Sequence, residues 1–259
     1  MTYGRLSRLK LKVVELPFDE VELVVFGDTH IGSKKCNFKI LKERIEYVRN
    51  TPNAYAIMLG DIINNSTRHS VGDCYEEPLS PMNQMKLAVR LFEPIAGKIL
   101  AGCSGNHERR TYRQDGIDLS YFLASELGYA DNYDSVAVLL GISLPNKTKQ
   151  FVYLTHGDGA SGRTIGGKAN ALERRGQIID ADVIVTGHTH QPMTFVESTF
   201  VIDRIHESIR TVRQTFVNID STLEYEEYAE LYGLKPSAVC DPHIFIGGTQ
   251  KNPRCRVTL

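Results

Sequence analysis

Residues 21–30 read VELVVFGDTH, and this decade sets the architecture expected of the whole chain. Val21 to Phe26 is an apolar run rich in β-branched residues, as short as a buried strand, and it halts at Gly27-Asp28 as a strand entering a loop does. The same pattern returns downstream: Ala54 to Leu59 halts at Gly60-Asp61, and Lys98 to Cys103 runs into Gly105-Asn106-His107. Between these strands, Leu41, Ile45 and Val48 recur at helical spacing within Phe38 to Arg49, and Met82, Met85, Val89 and Phe92 line one side of Pro81 to Ile95. Pro81 suits a first helical turn, where its missing N–H has no partner to lose. The first half therefore alternates strand and helix, with a polar loop after each strand.

The second half is richer in strands. They are expected at Val136 to Ile142, Phe151 to Thr155, Val183 to Thr186, Phe195 to Ile202, Thr211 to Ile219 and His243 to Ile246, with helices at Lys168 to Ile178 and Leu223 to Tyr232. Alternation followed by hairpins predicts an α/β fold of two packed sheets with helices outside. A length of 259 residues is compatible with one domain spanning 1–259. The basic tail 249–259, with Lys251, Arg254 and Arg256, reads either as a mobile end or as a docking segment.

Composition narrows the function classes. Hydrophobic residues at 42% and charged residues at 24% describe a globular chain, and no apolar run is long enough to cross a bilayer. A formal net charge of -1 supplies no global field for nucleic acid or a membrane, so a polyanion would need a local patch. Arg5, Arg8, Lys10 and Lys12 precede no long apolar segment, so the start does not read as a secretory signal, and a cytoplasmic location is expected. Cys36, Cys74, Cys103, Cys240 and Cys255 are odd in number, widely spaced and free of any C-x-x-C pair, which argues against a disulfide framework and a thiolate zinc site.

Metal-capable side chains collect where the apolar strands stop: Asp28-Thr29-His30, Asp61, Asn106-His107-Glu108, His156, then His188-Thr189-His190, each with a glycine beside it. In an open α/β sheet, sites form outside the carboxyl ends of the strands, so these groups can meet in one crevice. Oxygen and imidazole donors without sulfur suit zinc, manganese or iron(II). Asp28, His30, Asp61, Asn106, His156, His188 and His190 are too many ligands for one ion and suit two ions that share a carboxylate and a water. Two ions ~3.5–4 Å apart clamp a phosphoryl group and lower the pKa of the shared water, which yields a metal-bridging hydroxide at ordinary pH.

As an ordered series over about 160 residues, Asp28-x-His30, Gly60-Asp61, Gly105-Asn106-His107-Glu108, His156-Gly157 and Gly187-His188-x-His190 resembles the calcineurin-like metallophosphoesterase superfamily. The resemblance implies a four-layer αββα sandwich of two mixed β-sheets flanked by helices. It implies Asp28, His30 and His190 on one metal, Asn106, His156 and His188 on the other, and Asp61 bridging. It also assigns His107 to the substrate, where it would contact phosphoryl oxygens or protonate the leaving group; the neighbouring Glu108 is a candidate to orient it. Catalysis is thus expected from His107 and Asp61. The expected cofactors are two divalent metal ions, manganese first and iron, zinc or magnesium as alternatives.

The superfamily includes protein phosphatases, nucleotide phosphodiesterases and break-repair exonucleases, so membership leaves the substrate open. Protein phosphatases follow their Gly-Asp with an Asp-Arg-Gly-like run; here Ile62-Ile63-Asn64-Asn65-Ser66 stands there, and Arg68, Arg109, Arg110 or Arg163 is left to grip phosphate. The opening Gly27-Asp28-Thr29-His30-Ile31-Gly32 is closer in style to the break-repair nucleases. Those carry a DNA-facing cap domain after the last histidine pair, whereas 69 residues follow His190 here. A nuclease of this size would recruit a partner subunit or form a homodimer. Gly162 to Lys168 fits G-x-x-x-x-G-K, but Ala169 replaces the magnesium-binding hydroxyl, which excludes a P-loop. The stretch reads instead as a flap whose Arg163 and Lys168 contact phosphate, with Asn106 and His69 as the other expected substrate contacts. Lys168, Arg174 and Arg175 make a local basic stripe. The expected function is hydrolysis of a phosphodiester in DNA, RNA or a nucleotide. The alternative is a phosphomonoesterase acting on a phosphoprotein or small metabolite, and a third reading is a non-catalytic binding module.

Overall fold

The structure, a computed structural model, describes residues 9, 11–68, 70, 77–157, 164–225, 236 and 238–259. In chain order these form β1 (Leu11–Glu15), β2 (Val21–Phe26), α1 (Phe38–Asn50), β3 (Ala54–Met58), α2 (Pro81–Phe92), β4 (Ile99–Cys103), α3 (Glu108–Asp115) and α4 (Leu119–Glu126). They continue through β5 (Tyr133–Asp134), β6 (Ala137–Ser143), β7 (Lys149–Thr155), α5 (Ile165–Gly176), β8 (Val183–Thr186), β9 (Met193–Asp203), β10 (Ser208–Asn218), β11 (His243–Thr249) and β12 (Asn252–Thr258). Among the described residues two six-stranded sheets form, in the orders β1-β6-β7-β8-β10-β9 and β12-β11-β2-β3-β4-β5. Both are mixed: β2, β3 and β4 run parallel beside an antiparallel β11, and β7, β8 and β10 run parallel beside antiparallel β6 and β9.

Three apolar layers lie between four layers of structure. Leu23, Val25 and Ile57 from one sheet meet Leu140, Val152 and Val185 from the other. On the outer face of the first sheet, Val24, Phe26 and Met58 pack against Leu41 and Ile45 of α1, Met85 of α2 and Leu123 of α4. On the outer face of the second, Tyr153, Ile184 and Phe216 pack against Leu172 of α5. Alternate residues of β2 therefore go to opposite sides, as the pleat requires, and both sides are apolar. The result is an αββα sandwich.

Differences from the sequence expectations have local causes. The second helix ends at Phe92 and passes into a 3₁₀ turn, Glu93–Lys98, where Pro94 lacks the N–H that would continue the α-helix. Helix α3, ERRTYRQD, offers no apolar period to read, and α4 follows it behind the Asp118 cap. The tail is not a loose end: β12 pairs with β11 along its whole length, from Asn252 opposite Thr249 to Thr258 opposite His243. Leu11–Glu15, inside the basic start, pairs with β6. Of the helix expected at Leu223 to Tyr232, residues 226–232 lie outside the described residues, and Leu223 forms an antiparallel bridge with Cys36. No helix among the described residues is long and apolar enough to cross a membrane.

Candidate metal centre

Five parallel strands deliver the site. β2, β3 and β4 end just before Asp28, Asp61 and Asn106, and β7 and β8 end just before His156 and His188, so ligands from the two sheets converge across the edge of the sandwich. Backbone bonds lock the loops together: Asp28 N donates to Gly60 O at 3.1 Å, His30 N to Asp61 O at 3.0 Å, and Gly187 N to His156 O at 3.0 Å. Two side chains cross between the sheets, with His188 N donating to Asp28 Oδ2 at 2.9 Å and His156 Nδ1 meeting Leu59 O at 2.8 Å.

The ligand residues themselves take the unusual backbone. Asp28, His30, Asp61, His188 and His190 have φ values of 50°, 47°, 50°, 68° and 51°. The left-handed region costs a residue with a Cβ on the order of 1 kcal/mol or more, and such strain gathers at functional sites. The neighbouring glycines are needed for another reason, close approach. A Cβ on Gly105 would lie 2.1 Å from both Asp61 N and Asp61 Oδ1, and one on Gly187 would lie 2.5 Å from Asp28 Oδ2.

Nitrogen and oxygen atoms face one another around a common space. Asp28 with His30 and His190, His30 with Asp61 and His107, and Asp61 with His156 and His188 each offer ligand atoms within 4.8 Å of one another. His30 Nε2 stands 3.3 Å from His190 Nε2, and His190 Nε2 stands 3.0 Å from Asp28 Oδ1. Asn106 Oδ1 accepts from His156 Nε2 at 3.0 Å and from His188 Nδ1 at 2.7 Å. Asp28 Oδ1 and His30 Nδ1 are buried without a well-aligned hydrogen bond among the described residues, Asp28 Oδ1 having the His190 imidazole beside it. A buried carboxylate oxygen left in that state is costly without a cation, so the donor set fits divalent metal.

Electrostatics follow from this crowding. Burial drives the Asp61 carboxyl upward, but the His156 and His107 imidazoles outweigh it and hold the group well below the usual carboxylate range. Asp28 is lowered in the same way, burial being overcome by His190 and His156. Burial, with the His107 imidazole packed against it, presses His30 well down, and burial also lowers His107 and His188. His156 goes the other way: burial opposes its charge, yet Asp61 and Asp28 raise it to about 10. Its geometry agrees, because Nδ1 faces a carbonyl and Nε2 faces the Asn106 oxygen, so both nitrogens must donate.

Other expected residues fall in different places. Glu108 does not orient the His107 ring. Its carboxylate accepts from the backbone N–H groups of Asp61 at 3.0 Å, Ile63 at 3.1 Å and Gly105 at 3.1 Å, and so ties the β3 and β4 loops together. Burial and Asp61 push Glu108 up to about 7, against those donors; with three N–H groups aimed at two oxygens we assign the ionised form above neutral pH. Lys168 Nζ donates to Thr189 O at 3.1 Å, which anchors α5 to the His188–His190 loop. With Gly157, Arg175 and Asn218 it lines a cavity of about 20 Å³ there. His69 and Arg163 lie outside the described residues.

Sequence reasoning passed over a sixth strand end. Asn218 closes β10, its Nδ2 donating to Thr189 Oγ1 at 2.8 Å and to Gln191 O at 2.7 Å, and beyond it Ser221 Oγ donates to Asp28 O at 2.8 Å. Asp220 between them receives both Nη atoms of Arg44 on α1, at 3.3 and 2.7 Å. The signal was present: an apolar strand running into Asn218-Ile219-Asp220-Ser221-Thr222, like the other strand ends but without an imidazole.

A family model described as calcineurin-like phosphoesterase matches residues 21–192. Among solved structures, a conserved protein of Streptococcus pneumoniae TIGR4 described as a predicted phosphoesterase is 13% identical, with 93% of this chain and 90% of that chain covered and a TM-score of 0.41. A double mutant of Vps29 from Entamoeba histolytica is 13% identical, with 92% and 98% covered and a TM-score of 0.45. Nuclease MPE from Pseudomonas putida is 14% identical, with 91% and 86% covered and a TM-score of 0.36. No curated protein matches the chain in sequence.

Proposed function

This chain belongs to the calcineurin-like phosphoesterase family, whose members are metal-dependent hydrolases, and we propose that it hydrolyses a phosphodiester in nucleic acid or a nucleotide. The observation that carries the reading is the cluster itself: donors from five strand ends, five of them on left-handed backbone, around a buried carboxylate oxygen that faces imidazole nitrogens without a well-aligned hydrogen bond. Two divalent cations fit the donors, with manganese our first choice. Asp28, His30 and His190 would hold one, Asn106, His156 and His188 the other, and Asp61, which belongs to two of the three donor groups, would serve both. When bound, such a pair neutralises phosphoryl charge and makes a shared water acidic enough to ionise near neutral pH.

The chain's own residues do the rest. Asp61 is placed by Glu108, which holds its backbone N–H, and by His107 N, which donates to Asp61 Oδ1 at 2.8 Å. The Asp28 loop is held by Ser221 and by Thr222, whose hydroxyl meets Thr29 O at 3.3 Å. His107 is half-buried, with its ring 4.4 Å from that of His30, at the rim where a phosphoryl oxygen or leaving group would stand. The absence of an arginine directly after Gly60-Asp61 favours a diester over the phosphoprotein reading. A panel of diesters, monoesters, DNA and RNA presented to the metal-loaded protein tests the proposal. Activity on diesters that is lost in Asp61→Asn is expected, and preference for monoesters would overturn the diester assignment.

A further inference from the structure

Of the four arginines near the site in sequence, Arg163 lies outside the described residues, and the structure brings Arg110 to the rim. Arg110, on the first turn of α3, places Nη2 3.0 Å from His107 Nε2 and Nη1 3.3 Å from Asn64 O and 3.5 Å from Asn65 O. A guanidinium can only donate, so His107 Nε2 accepts. His107 Nδ1 abuts Asn64 O, a carbonyl, and must carry the hydrogen. Both imidazole nitrogens are thereby committed, and the tautomer is set. Nε2 also faces Asp61 Oδ2 at 3.8 Å. The guanidinium is thus one imidazole away from the carboxylate at the centre of the donor cluster. While it stays there, the Nε2 lone pair cannot serve a cation, although His30, Asp61 and His107 are close enough together to hold one.

Resting on the phosphoesterase reading above, we propose that Arg110 is the residue that grips the non-reacting oxygens of the phosphoryl group, and that in doing so it leaves His107 Nε2 uncovered. A phosphoryl oxygen is anionic and draws a guanidinium more strongly than an imidazole nitrogen or a backbone carbonyl does. The planar fork also suits two oxygens of one phosphate. Only the side chain has to move. The base of α3 is tied down by Asn65, whose Nδ2 donates to His107 O at 2.6 Å and to Thr111 Oγ1 at 3.0 Å. Substrate binding and exposure of His107 become one event, and the arginine that protein phosphatases keep after Gly-Asp is replaced by one from the helix that follows the next strand.

The test measures inorganic phosphate binding to the manganese-loaded full chain by titration calorimetry in wild type, Arg110→Gln, Arg110→Lys and, as a control on the exposed side of α3, Arg113→Gln. Arg110→Gln should bind phosphate roughly 10- to 100-fold more weakly. Lysine should restore part of the loss, Arg113→Gln should bind as wild type does, and manganese content should be the same in all four. With bis(4-nitrophenyl) phosphate, KM should rise more than kcat falls in Arg110→Gln. Phosphate affinity unchanged in Arg110→Gln overturns the proposal. Should that variant not fold, the imidazole nitrogen shifts of His107 in zinc-loaded wild type decide: they should move on adding phosphate, and shifts that stay put overturn the proposal. Arg110-dependent phosphate binding without any hydrolysis would sink the phosphoesterase reading and keep this one; hydrolysis with phosphate binding indifferent to Arg110 would do the reverse.

Discussion

Replacing Arg44 by methionine should test how the fold supports the site from behind. Arg44 and Asp220 are both buried and meet through two nitrogen–oxygen contacts, 3.3 and 2.7 Å, while Arg44 Nε stands 2.8 Å from Asp241. Methionine keeps much of the volume and removes the charge, leaving Asp220 with the Cys240 N–H at 2.9 Å as its best remaining donor. Stranding one partner of a buried pair costs about 3–5 kcal/mol. Global stability of a domain is about 5–15 kcal/mol, so the variant should remain folded but far less stable. The chain contains no tryptophan, so urea unfolding is best followed by far-ultraviolet circular dichroism. Adding Asp220→Asn should return part of the loss, because the stranded charge goes with it; a coupling of about 1–3 kcal/mol is expected. Since Ser221 and Thr222 next to Asp220 hold the Asp28 loop, manganese affinity should fall as well. A loss below about 1 kcal/mol, or losses that simply add in the double variant, would refute the reasoning.

Three further outcomes follow from the site. Asp61→Asn should abolish turnover and weaken at least one bound cation, checked by metal analysis beside the substrate panel; wild-type metal content in that variant would remove Asp61 from the shared position. In the metal-free protein, His156 is raised from its usual 6.5 to about 10, so its stabilisation is complete below 6.5 and fades as pH climbs toward 10, whereas that of the lowered Asp28 and Asp61 carboxylates is lost in acid. Thermal midpoints should therefore drop from pH 7 to pH 10, and metal binding near neutral pH should release a proton, read as a calorimetric heat that depends on the buffer; a buffer-independent heat would contradict it. Gly105→Ala places its Cβ 2.1 Å from Asp61 backbone, which cannot yield as a flexible side chain would, and a loss of about 3 kcal/mol or more is expected from urea unfolding.

Much of the architecture was legible because parallel strands buried on both faces read as plain apolar runs. Val21–Phe26, Ala54–Met58, Ile99–Cys103 and Val183–Thr186 all announce themselves this way, and each stops at a metal-capable residue. Helix α3 and strand β12 did not. The first has no apolar stripe, and the second is a charged edge strand whose pairing with β11 depends on a chain segment folding back beside it. Edge strands rich in charge look like tails until their neighbour is known.

The sequence alone determined which side chains can bind metal, in what order, and that strand ends would present them, because burial and the carboxyl-end rule act locally and leave a periodic trace. Only the tertiary structure decided how those groups are held. Glu108 serves three backbone N–H groups instead of His107, Lys168 is tied to Thr189 O, Arg110 sits on His107, and Arg44 braces Asp220 from another element. Hydrogen bonds and charge pairs act over a few ångströms, and which groups come that close across 176 positions of chain, as Arg44 and Asp220 do, is set by how the layers pack.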